Sequence, residues 1–419
     1  MKAFLRLLFL LFFALVLESK PLEVSVAAKA AILINSQNGR ILYEKNAFES
    51  VYPASITKIA TALYALEKKS DLMQNTTNVS IEALKTIFSE KRNGHEKDYP
   101  PYFLETDGSA LGLSIEEDIK IEDLLYSMMM VSGNDSANAL AHALSGSIPE
   151  YMQQVNIYLK TLGCQKTSFL NPHGLHHPGH VTCAWDMALM TKKALSLPEF
   201  RKLVSTLRYQ IPDTNKHALY DLKQTNRLMK KESAYYYPYA IGVKTGYHSH
   251  AGYTLVGAAE NGERQIIAVL LGEEKNEKRY VDARKLFEAA FLEEKEHLLL
   301  FEKEQFFQAA LQGGQAPLQA ELRNNVEISF YPSEEKEYKA FIYWEDLILP
   351  IAKDEKVGLL QIKTVDGEVL ATAELFSADE VPRTFWHLCK QWCFLAKKKE
   401  NQKAILEEAS SEAKKDNEL

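Results

Sequence analysis

The chain has 419 residues, of which 46% are hydrophobic and 25% are charged, and its formal net charge at pH 7 is -7. This globular composition predicts a sizeable core and more than one domain. The acidic balance argues against nucleic acid as the main partner.

The first 20 residues have the pattern of a secretory signal peptide. Lys2 and Arg6 form a basic start, and residues 7–17 are an unbroken apolar run. The run is too short to span a bilayer comfortably, whereas its length and flanks are typical of a signal. We therefore predict export of the bulk of the chain; retention of the segment as an uncleaved anchor is the alternative.

Export would permit oxidation of the cysteines. Cys164 and Cys183 are close enough in sequence to pair across a short loop. Two unpaired buried cysteines are the alternative, and the spacing leaves both open.

Residues 21–297 are predicted to form the larger domain. Asn-Gly pairs between apolar runs predict hairpin turns, and apolar residues at helical spacing predict helices. The predicted elements, in chain order, are a β-hairpin at 30–43 with an Asn38-Gly39 turn, a helix from about Ser55, a helical segment at 121–144 interrupted at Ser132-Gly133-Asn134, antiparallel strands between 240 and 272 with an Asn261-Gly262 turn, and a helix at 277–291.

Residues 298–378 are predicted to form a second, small β-rich domain. Its strand-like runs are short and apolar, and Asp366-Gly367 marks a hairpin turn. The predicted strands lie at 326–331, 338–344, 357–363 and 369–375.

Residues 379–400 predict a basic amphipathic helix that contacts a membrane surface, and residues 401–419 form a charged tail. Arg383, Lys390 and Lys397 recur every seven residues on one face. The other face is apolar and includes a tryptophan, which suits a membrane interface. A helix docked on the β-rich domain is the alternative. The apolar face is Phe385, Leu388, Cys389, Trp392 and Leu395.

Ser55 and Lys58, in the stretch PASITKIATALYAL, are a candidate nucleophile and base. Residues three apart on a helix face the same way, so the Lys58 amine can lie near the Ser55 hydroxyl. Serine needs a neighbouring base, and a lysine can serve only when desolvation or a nearby cation keeps it neutral. A capping serine beside a solvated lysine is the alternative, and the pair alone favours it.

Two further motifs favour the catalytic interpretation of Ser55 and Lys58 over the capping one. Ser132-Gly133-Asn134 interrupts a helix with a turn, which can push polar side chains into a cleft. Lys244-Thr245-Gly246 follows a strand-like run, and its glycine permits close approach of another backbone. All three motifs in this order match the set known for β-lactamases and penicillin-binding proteins.

On these motifs, and on stretches such as MMMVSGNDSANALAHALSG and GVKTGYHSHAGYTLVGAAE, the chain resembles low-molecular-mass penicillin-binding proteins, the serine-type D-alanyl-D-alanine carboxypeptidases. The resemblance covers most of residues 28–380. It implies an α+β, transpeptidase-like (β-lactamase-like) domain, with an antiparallel sheet flanked by helices, and then a small β-rich domain. It also implies removal of the terminal D-alanine from peptidoglycan stem pentapeptides and covalent inhibition by β-lactams, with no metal or other cofactor.

The resemblance implies a role for each motif residue. Ser55 attacks the carbonyl of the penultimate D-alanine, Lys58 takes its proton, and Ser132 relays a proton to the departing amine. The implied substrate-binding residues are Asn134, Lys244, Thr245, Gly246, Tyr247 and Arg279.

Within that set, Asn134 bonds the substrate backbone and helps to hold Lys58, while Lys244 and Thr245 receive the terminal carboxylate. The backbone N–H groups of Ser55 and Tyr247 form the oxyanion hole. Arg279 resembles a cation near the carboxylate site, and an ordinary surface arginine at a helix start is its alternative.

Two stretches fall outside these motifs. Residues 87–106 are longer and more charged than the resemblance predicts and could reshape the cleft entrance. The stretch NPHGLHHPGH holds four histidines, for which loop packing is favoured over a metal site. The histidines are His173, His176, His177 and His180.

Two other functions remain open. A class A-like β-lactamase would need a carboxylate to activate the deacylating water, and the β-rich domain and the anchor argue against it. A penicillin-binding scaffold or sensor that acylates without turnover is disfavoured by the intact motifs. The expected partners are stem peptides ending in D-Ala-D-Ala and β-lactams, met at the periplasmic face of the cytoplasmic membrane.

Overall fold

The computed structural model describes residues 20–92, 94–334, 337–365 and 367–385, together with Cys389 and Lys397. It divides into two compact units, one being Pro21–Glu293 and the other Lys20 with the described residues from Glu294 onward. None of the described helices has the length and apolar character needed to cross a membrane. The expected signal peptide apart from Lys20, most of the expected amphipathic helix and the charged tail lie outside the described residues.

The first unit combines helices with a mainly antiparallel set of strands. Its strands are β1 (Ala30–Asn35), β2 (Ile41–Lys45), β3 (Thr76–Asn78), β4 (Thr86–Ile87), β5 (Leu104–Glu105), β6 (Asp118–Lys120), β7 (Arg208–Ile211), β8 (Tyr220–Lys223), β9 (Ala240–His248), β10 (Gly252–Glu260) and β11 (Gln265–Glu273). Its α-helices are α1 (Lys58–Lys68), α2 (Ser89–Arg92), α3 (Ile121–Met130), α4 (Asn134–Ser145), α5 (Ile148–Thr161), α6 (Ala184–Leu195), α7 (Pro198–Ser205) and α8 (Asn276–Phe291). Short 3-10 helices lie at Ala54–Thr57, Ser70–Leu72 and Ile81–Leu84.

The main sheet has the strand order β2-β1-β11-β10-β9, with antiparallel neighbours throughout. Its central strands are apolar on both faces because helices cover both. On one face Ile32 packs in a core with Ile59 of α1, and on the other Leu33 packs in a core with Phe287 of α8. Each such side chain stabilises the fold by about 1.5–3 kcal/mol on burial. The order leaves β9 at the edge of this sheet.

The predicted elements of this unit match the structure closely. The helical segment at 121–144 is broken as expected, since α3 ends at Met130 and α4 begins at Asn134. The helix expected from Ser55 differs, because Ser55 lies in a 3-10 helix and α1 begins at Lys58. Cys164 and Cys183 are buried and free, so the unpaired alternative holds for this pair.

The second unit is a small β structure. Its main sheet has the order β13-β14-β18-β17-β16, and β12 pairs with β15. The apolar positions of these strands alternate into a core that includes Leu318, Leu360 and Leu375. The sequence predicted the last four strands and missed the first three. The strands are β12 (Glu296–Phe301), β13 (Phe306–Ala309), β14 (Leu318–Leu322), β15 (Val326–Phe330), β16 (Tyr338–Trp344), β17 (Lys356–Thr364) and β18 (Val369–Ser377), with a 3-10 helix at Pro332–Glu334.

Candidate active site

Ser55 is held by a tight turn that leads directly into α1. Side chains three residues apart eclipse on a 3-10 helix, and Nζ of Lys58 lies 3.1 Å from Oγ of Ser55. The preceding Ala54 has a φ of 54°, which L-residues rarely adopt. Gly174 packs behind this turn, because a Cβ there would lie 2.0 Å from the Ala54 carbonyl oxygen and 3.0 Å from the Ser55 nitrogen. The nucleophile is therefore positioned by backbone packing.

The Lys58 amine is oriented by two carbonyl acceptors. It is fully buried, and its Nζ donates to Oδ1 of Asn134 at 2.7 Å and to the backbone oxygen of His173 at 2.6 Å. A neutral amine has two N–H bonds and one lone pair. With both N–H bonds used in this way, the lone pair is left for the Ser55 hydroxyl at 3.1 Å. This arrangement is the one that a general base for Ser55 requires.

The surroundings of Lys58 favour that neutral form. Burial lowers its pKa well below the ordinary lysine value, and the nearby positive charge of Lys244 lowers it further. Asp135 acts in the opposite direction. Its carboxylate also accepts the backbone N–H groups of Leu111 at 2.9 Å and Gly112 at 2.8 Å. It thus fastens the segment GSALGLS to the start of α4.

Lys244 and Arg279 bring two buried positive charges to the same side of the site. Lys244 is 2% exposed, and its Nζ donates to the Thr245 backbone oxygen at 3.0 Å. Burial, and then the charge of Arg279, lower the pKa of Lys244 to about 7. Neither side chain makes a salt bridge to a carboxylate in the part of the chain that the structure describes. Two such charges favour an anionic ligand.

Arg279 also ties the edge strand in place. Its Nη1 donates to the backbone oxygen of Gly246 at 2.8 Å and to that of Thr254 at 3.1 Å. It therefore bonds β9 and β10, in addition to its electrostatic effect on Lys244. The side chain is 7% exposed, so it is not the ordinary surface arginine of the alternative interpretation.

The edge strand β9 passes directly beside the nucleophile. A Cβ at Gly246 would lie 2.8 Å from the Ser55 nitrogen and 2.5 Å from Oγ1 of Thr254, so only glycine fits. The next residue, Tyr247, is exposed and stacks on Tyr253 with ring centroids 4.3 Å apart. The turn that carries Ser55 and the edge of β9 are thus adjacent, which is the placement that an oxyanion hole needs.

Asn134 and Ser132, from the same motif, differ in their hydrogen bonds to the site. Asn134, which is 5% exposed at the start of α4, bonds Lys58. Ser132 lies in the turn before it with a φ of 64°, and among the described residues its hydroxyl bonds neither Ser55 nor Lys58 nor Lys244. The sequence missed the His173 carbonyl and the packing of Gly174, because both depend on contacts with a distant part of the chain.

The site opens into a cleft of about 490 Å³ that residues 87–106 help to line. Arg92 organises this segment, since its buried guanidinium donates to the backbone oxygens of Phe103 at 2.6 Å and Pro101 at 3.0 Å. Tyr102 O lies 3.2 Å from Nε2 of His173. The segment therefore packs against the loop that holds Lys58. Its residues in the cleft wall are Ser89, Glu90, Arg92, Glu96 and Glu105.

The histidines of NPHGLHHPGH separate in the structure. His173 and His180 are buried; Nε2 of His180 lies 2.9 Å from Oγ1 of Thr57, and burial lowers the pKa of His180 to about 3. His176 instead faces the cleft beside His248 and His250. Burial, followed by the neighbouring histidine charges, lowers the pKa of His176 to about 4 and that of His248 to about 3.

Comparison with known proteins agrees with this geometry. The chain is 31% identical over 366 residues to the D-alanyl-D-alanine carboxypeptidase DacF of Bacillus subtilis, covering 86% of this chain and 87% of DacF. The structure resembles penicillin-binding protein 5 from Haemophilus influenzae, with a TM-score of 0.57 and 25% identity over 86% of this chain and 99% of that one. It also resembles penicillin-binding protein D2 from Listeria monocytogenes in its ampicillin-bound form, with a TM-score of 0.51 and 26% identity over 64% of this chain and 99% of that one.

These similarities confirm the predicted fold class and the family resemblance. The family model described as D-alanyl-D-alanine carboxypeptidase matches residues 16–275, and this range contains Ser55, Asn134 and Lys244. The chain therefore belongs to the D-alanyl-D-alanine carboxypeptidase family.

Proposed function

We propose that this chain removes the terminal D-alanine from peptidoglycan stem pentapeptides through an acyl-enzyme on Ser55. The observation that carries the proposal is the orientation of Lys58. Its two carbonyl acceptors, on Asn134 and His173, leave its lone pair for the Ser55 hydroxyl.

In the first step, Oγ of Ser55 attacks the carbonyl carbon of the penultimate D-alanine while Lys58 accepts the hydroxyl proton. The negative charge moves to the carbonyl oxygen, where the backbone N–H groups of Ser55 and Tyr247 stabilise it. The fit of Gly246 against the Ser55 nitrogen supports this assignment of the oxyanion hole.

In the second step, the bond to the terminal D-alanine breaks and its nitrogen takes up a proton relayed by the Ser132 hydroxyl. Water then adds to the ester carbon, the ester bond to Oγ of Ser55 breaks, one proton of the water passes to Oγ, and the shortened peptide leaves. The left-handed backbone of Ser132 supports a functional role for its turn, since such strain clusters at active sites.

The terminal carboxylate of the substrate would bind near Lys244, Thr245 and Arg279. The support is electrostatic, because Lys244 and Arg279 are buried cations without a carboxylate partner among the described residues. A β-lactam also presents an amide carbonyl and a carboxylate, so we expect it to acylate Ser55. The ampicillin-bound form of the Listeria relative supports this expectation.

One carboxylate in the cleft bears on the β-lactamase alternative. Glu105 lines the cleft, and burial raises its pKa. However, it lies 3.6 Å from the Arg92 guanidinium, which holds it in an ion pair. A carboxylate held in this way is less available as a base for water.

Mass spectrometry of a stem pentapeptide incubated with the purified protein separates the three functions. Release of one D-alanine supports the carboxypeptidase. Turnover of penicillin with an intact pentapeptide supports the β-lactamase, and a stable penicillin adduct without peptide turnover supports the sensor.

We also propose a catalytic domain at 21–297, a β-rich domain at 298–378, and peripheral contact of residues 379–400 with the outer face of the cytoplasmic membrane. The division into two compact units supports the two domains. The basic and apolar faces of the last segment support the membrane contact.

A liposome experiment tests the contact. A chain that ends at Ala378 should stay in solution, whereas one that includes residues 379–419 should sediment with anionic liposomes, and less so at high salt. If both stay in solution at low salt, the segment docks on the protein instead.

A further inference from the structure

Three histidines from separate parts of the chain meet at the cleft. His176 lies in the loop at 171–180, His248 ends β9, and His250 lies in the turn between β9 and β10. One ring nitrogen from each lies within 4.8 Å of those from the other two. The rings of His176 and His250 are 3.9 Å apart and parallel to within 5°, and those of His176 and His248 are 5.3 Å apart.

Each ring can offer one nitrogen to a ligand, although His248 must give up a hydrogen bond to do so. Nδ1 of His176 is buried and has no hydrogen-bond partner within the part of the chain that the structure describes. Nδ1 of His250 lies 3.3 Å from Oγ of Ser249, which leaves its Nε2 available. Nδ1 of His248 accepts the N–H of Ala251 at 3.1 Å. Ligation through Nε2 of His248 would move the ring proton to Nδ1 and exchange that bond for a metal–nitrogen bond.

Three imidazoles are a ligand set that selects particular ions. Zinc binds histidine nitrogen at about 2.0–2.1 Å and often takes three protein ligands with an open fourth position. Copper and nickel also favour imidazole, whereas magnesium and calcium prefer oxygen. Glu96 and Glu105 in the same cleft supply negative charge to offset that of a cation.

We propose that His176, His248 and His250 bind one divalent transition-metal ion that prefers imidazole, such as zinc. The ion links the β9–β10 turn to the loop at 171–180. Because the rings of His176 and His250 are stacked and parallel, at least one of them must rotate for both lone pairs to point at the same ion.

The same cleft contains Ser55, so the ion would stand in the path of the substrate. An occupied site should slow acylation of Ser55. This consequence rests on the proposed function, whereas metal binding does not.

Binding is tested with the untagged full chain after chelator treatment. We expect cobalt(II), as a spectroscopic substitute for zinc, to give visible absorption bands that saturate at one ion per chain. Zinc should displace the cobalt and raise the melting temperature, because an ion that binds the folded state stabilises it. Magnesium at the same concentration should do neither.

His250→Gln, at an exposed position, should weaken cobalt binding at least tenfold and remove the zinc-dependent rise in melting temperature. His176→Gln should also weaken cobalt binding and remove the zinc-dependent rise in melting temperature. Agreement between the two variants would show that the effect does not come from a local disturbance in one of them. His177→Gln is the matched control, because His177 is adjacent to His176 but lies outside the cluster. It should bind cobalt as the unaltered chain does.

Absence of saturable cobalt bands overturns the proposal, and so does unchanged binding in both cluster variants. A separate assay follows penicillin labelling with and without zinc. Failure of all labelling would count against the Ser55 chemistry and leave the cobalt result intact. Labelling that zinc does not slow, in a chain that binds cobalt, overturns the placement of the ion in the substrate path.

Discussion

Gly174→Ala should slow acylation of Ser55 although it leaves the Ser55 side chain itself unchanged. The added Cβ would lie 2.0 Å from the Ala54 carbonyl oxygen and 2.4 Å from its carbonyl carbon. These are backbone atoms, so no side chain can rotate away to relieve the overlap. Either the Ala54 turn or the loop at 174 must move.

The expected loss in the free energy of unfolding has two contributions, and the loss in acylation rate has a separate cause. Gly174 has a φ of 93°, and an L-residue there costs about 1–2 kcal/mol. The overlap adds about 1–3 kcal/mol, as for other overpacked positions. A displacement of about 1 Å at a reacting group can also reduce the rate about a hundredfold. We therefore expect a loss of about 2–5 kcal/mol in the free energy of unfolding and about a hundredfold slower acylation.

Gly112→Ala provides the matched control. Its φ is 94°, but a Cβ at that position would meet nothing within 4 Å. This variant should lose only the about 1–2 kcal/mol that an L-residue costs at such a φ. Its acylation rate should stay within a few-fold of that of the unaltered chain. The assays are denaturant unfolding and the rate of fluorescent penicillin labelling of folded protein. If both variants acylate at the same rate, the packing of Gly174 does not position Ser55.

Four further changes test the remaining site. Ser55→Ala should abolish peptide turnover and penicillin labelling, and labelling that survives would identify another nucleophile. Lys58→Arg should be nearly as damaging, because arginine cannot act as a base near neutral pH; a normal acylation rate would make Lys58 structural. Asn134→Asp places a carboxylate on the Lys58 amine, which raises the pKa of Lys58. The pH dependence of the penicillin-labelling rate should then shift to higher pH by about 1–3 pH units. An unchanged pH dependence would contradict a neutral Lys58. Lys244→Ala should weaken catalysis on free-carboxylate peptides by about 1.5–3 kcal/mol more than on amidated ones. Because the pKa of Lys244 is about 7, the unaltered chain should lose kcat/KM for the carboxylate peptide as pH rises above that value. Equal losses on both peptides would exclude Lys244 from the carboxylate site.

Local patterns predicted much of the fold. The Asn-Gly turns work because glycine adopts positive φ, as Gly39 and Gly262 do at 78° and 95°. The strands β12 to β14 were missed although Gly313-Gly314 lies between β13 and β14, since β13 and β14 are only four and five residues long and include the polar residues Gln308, Gln319 and Glu321. The approach of Lys58 to Ser55 was predictable from their spacing, although a 3-10 turn creates it.

Long-range contacts were not predictable in the same way. The His173 carbonyl that orients Lys58 is 115 residues away, and a carbonyl leaves no signature in a sequence. The histidine cluster was also hidden, because proximity in sequence grouped His176 with His173 and His180. Folding of the β9–β10 turn groups it with His248 and His250 instead.

The proposed function depends on one step, the acylation of Ser55 by the pentapeptide. It is tested most directly by rapid acid quenching of that reaction, followed by mass spectrometry of the intact protein and peptide mapping. We expect one peptidyl adduct, shortened by one D-alanine and located on Ser55. An adduct on another residue would contradict it, as would continued release of D-alanine by the Ser55→Ala variant.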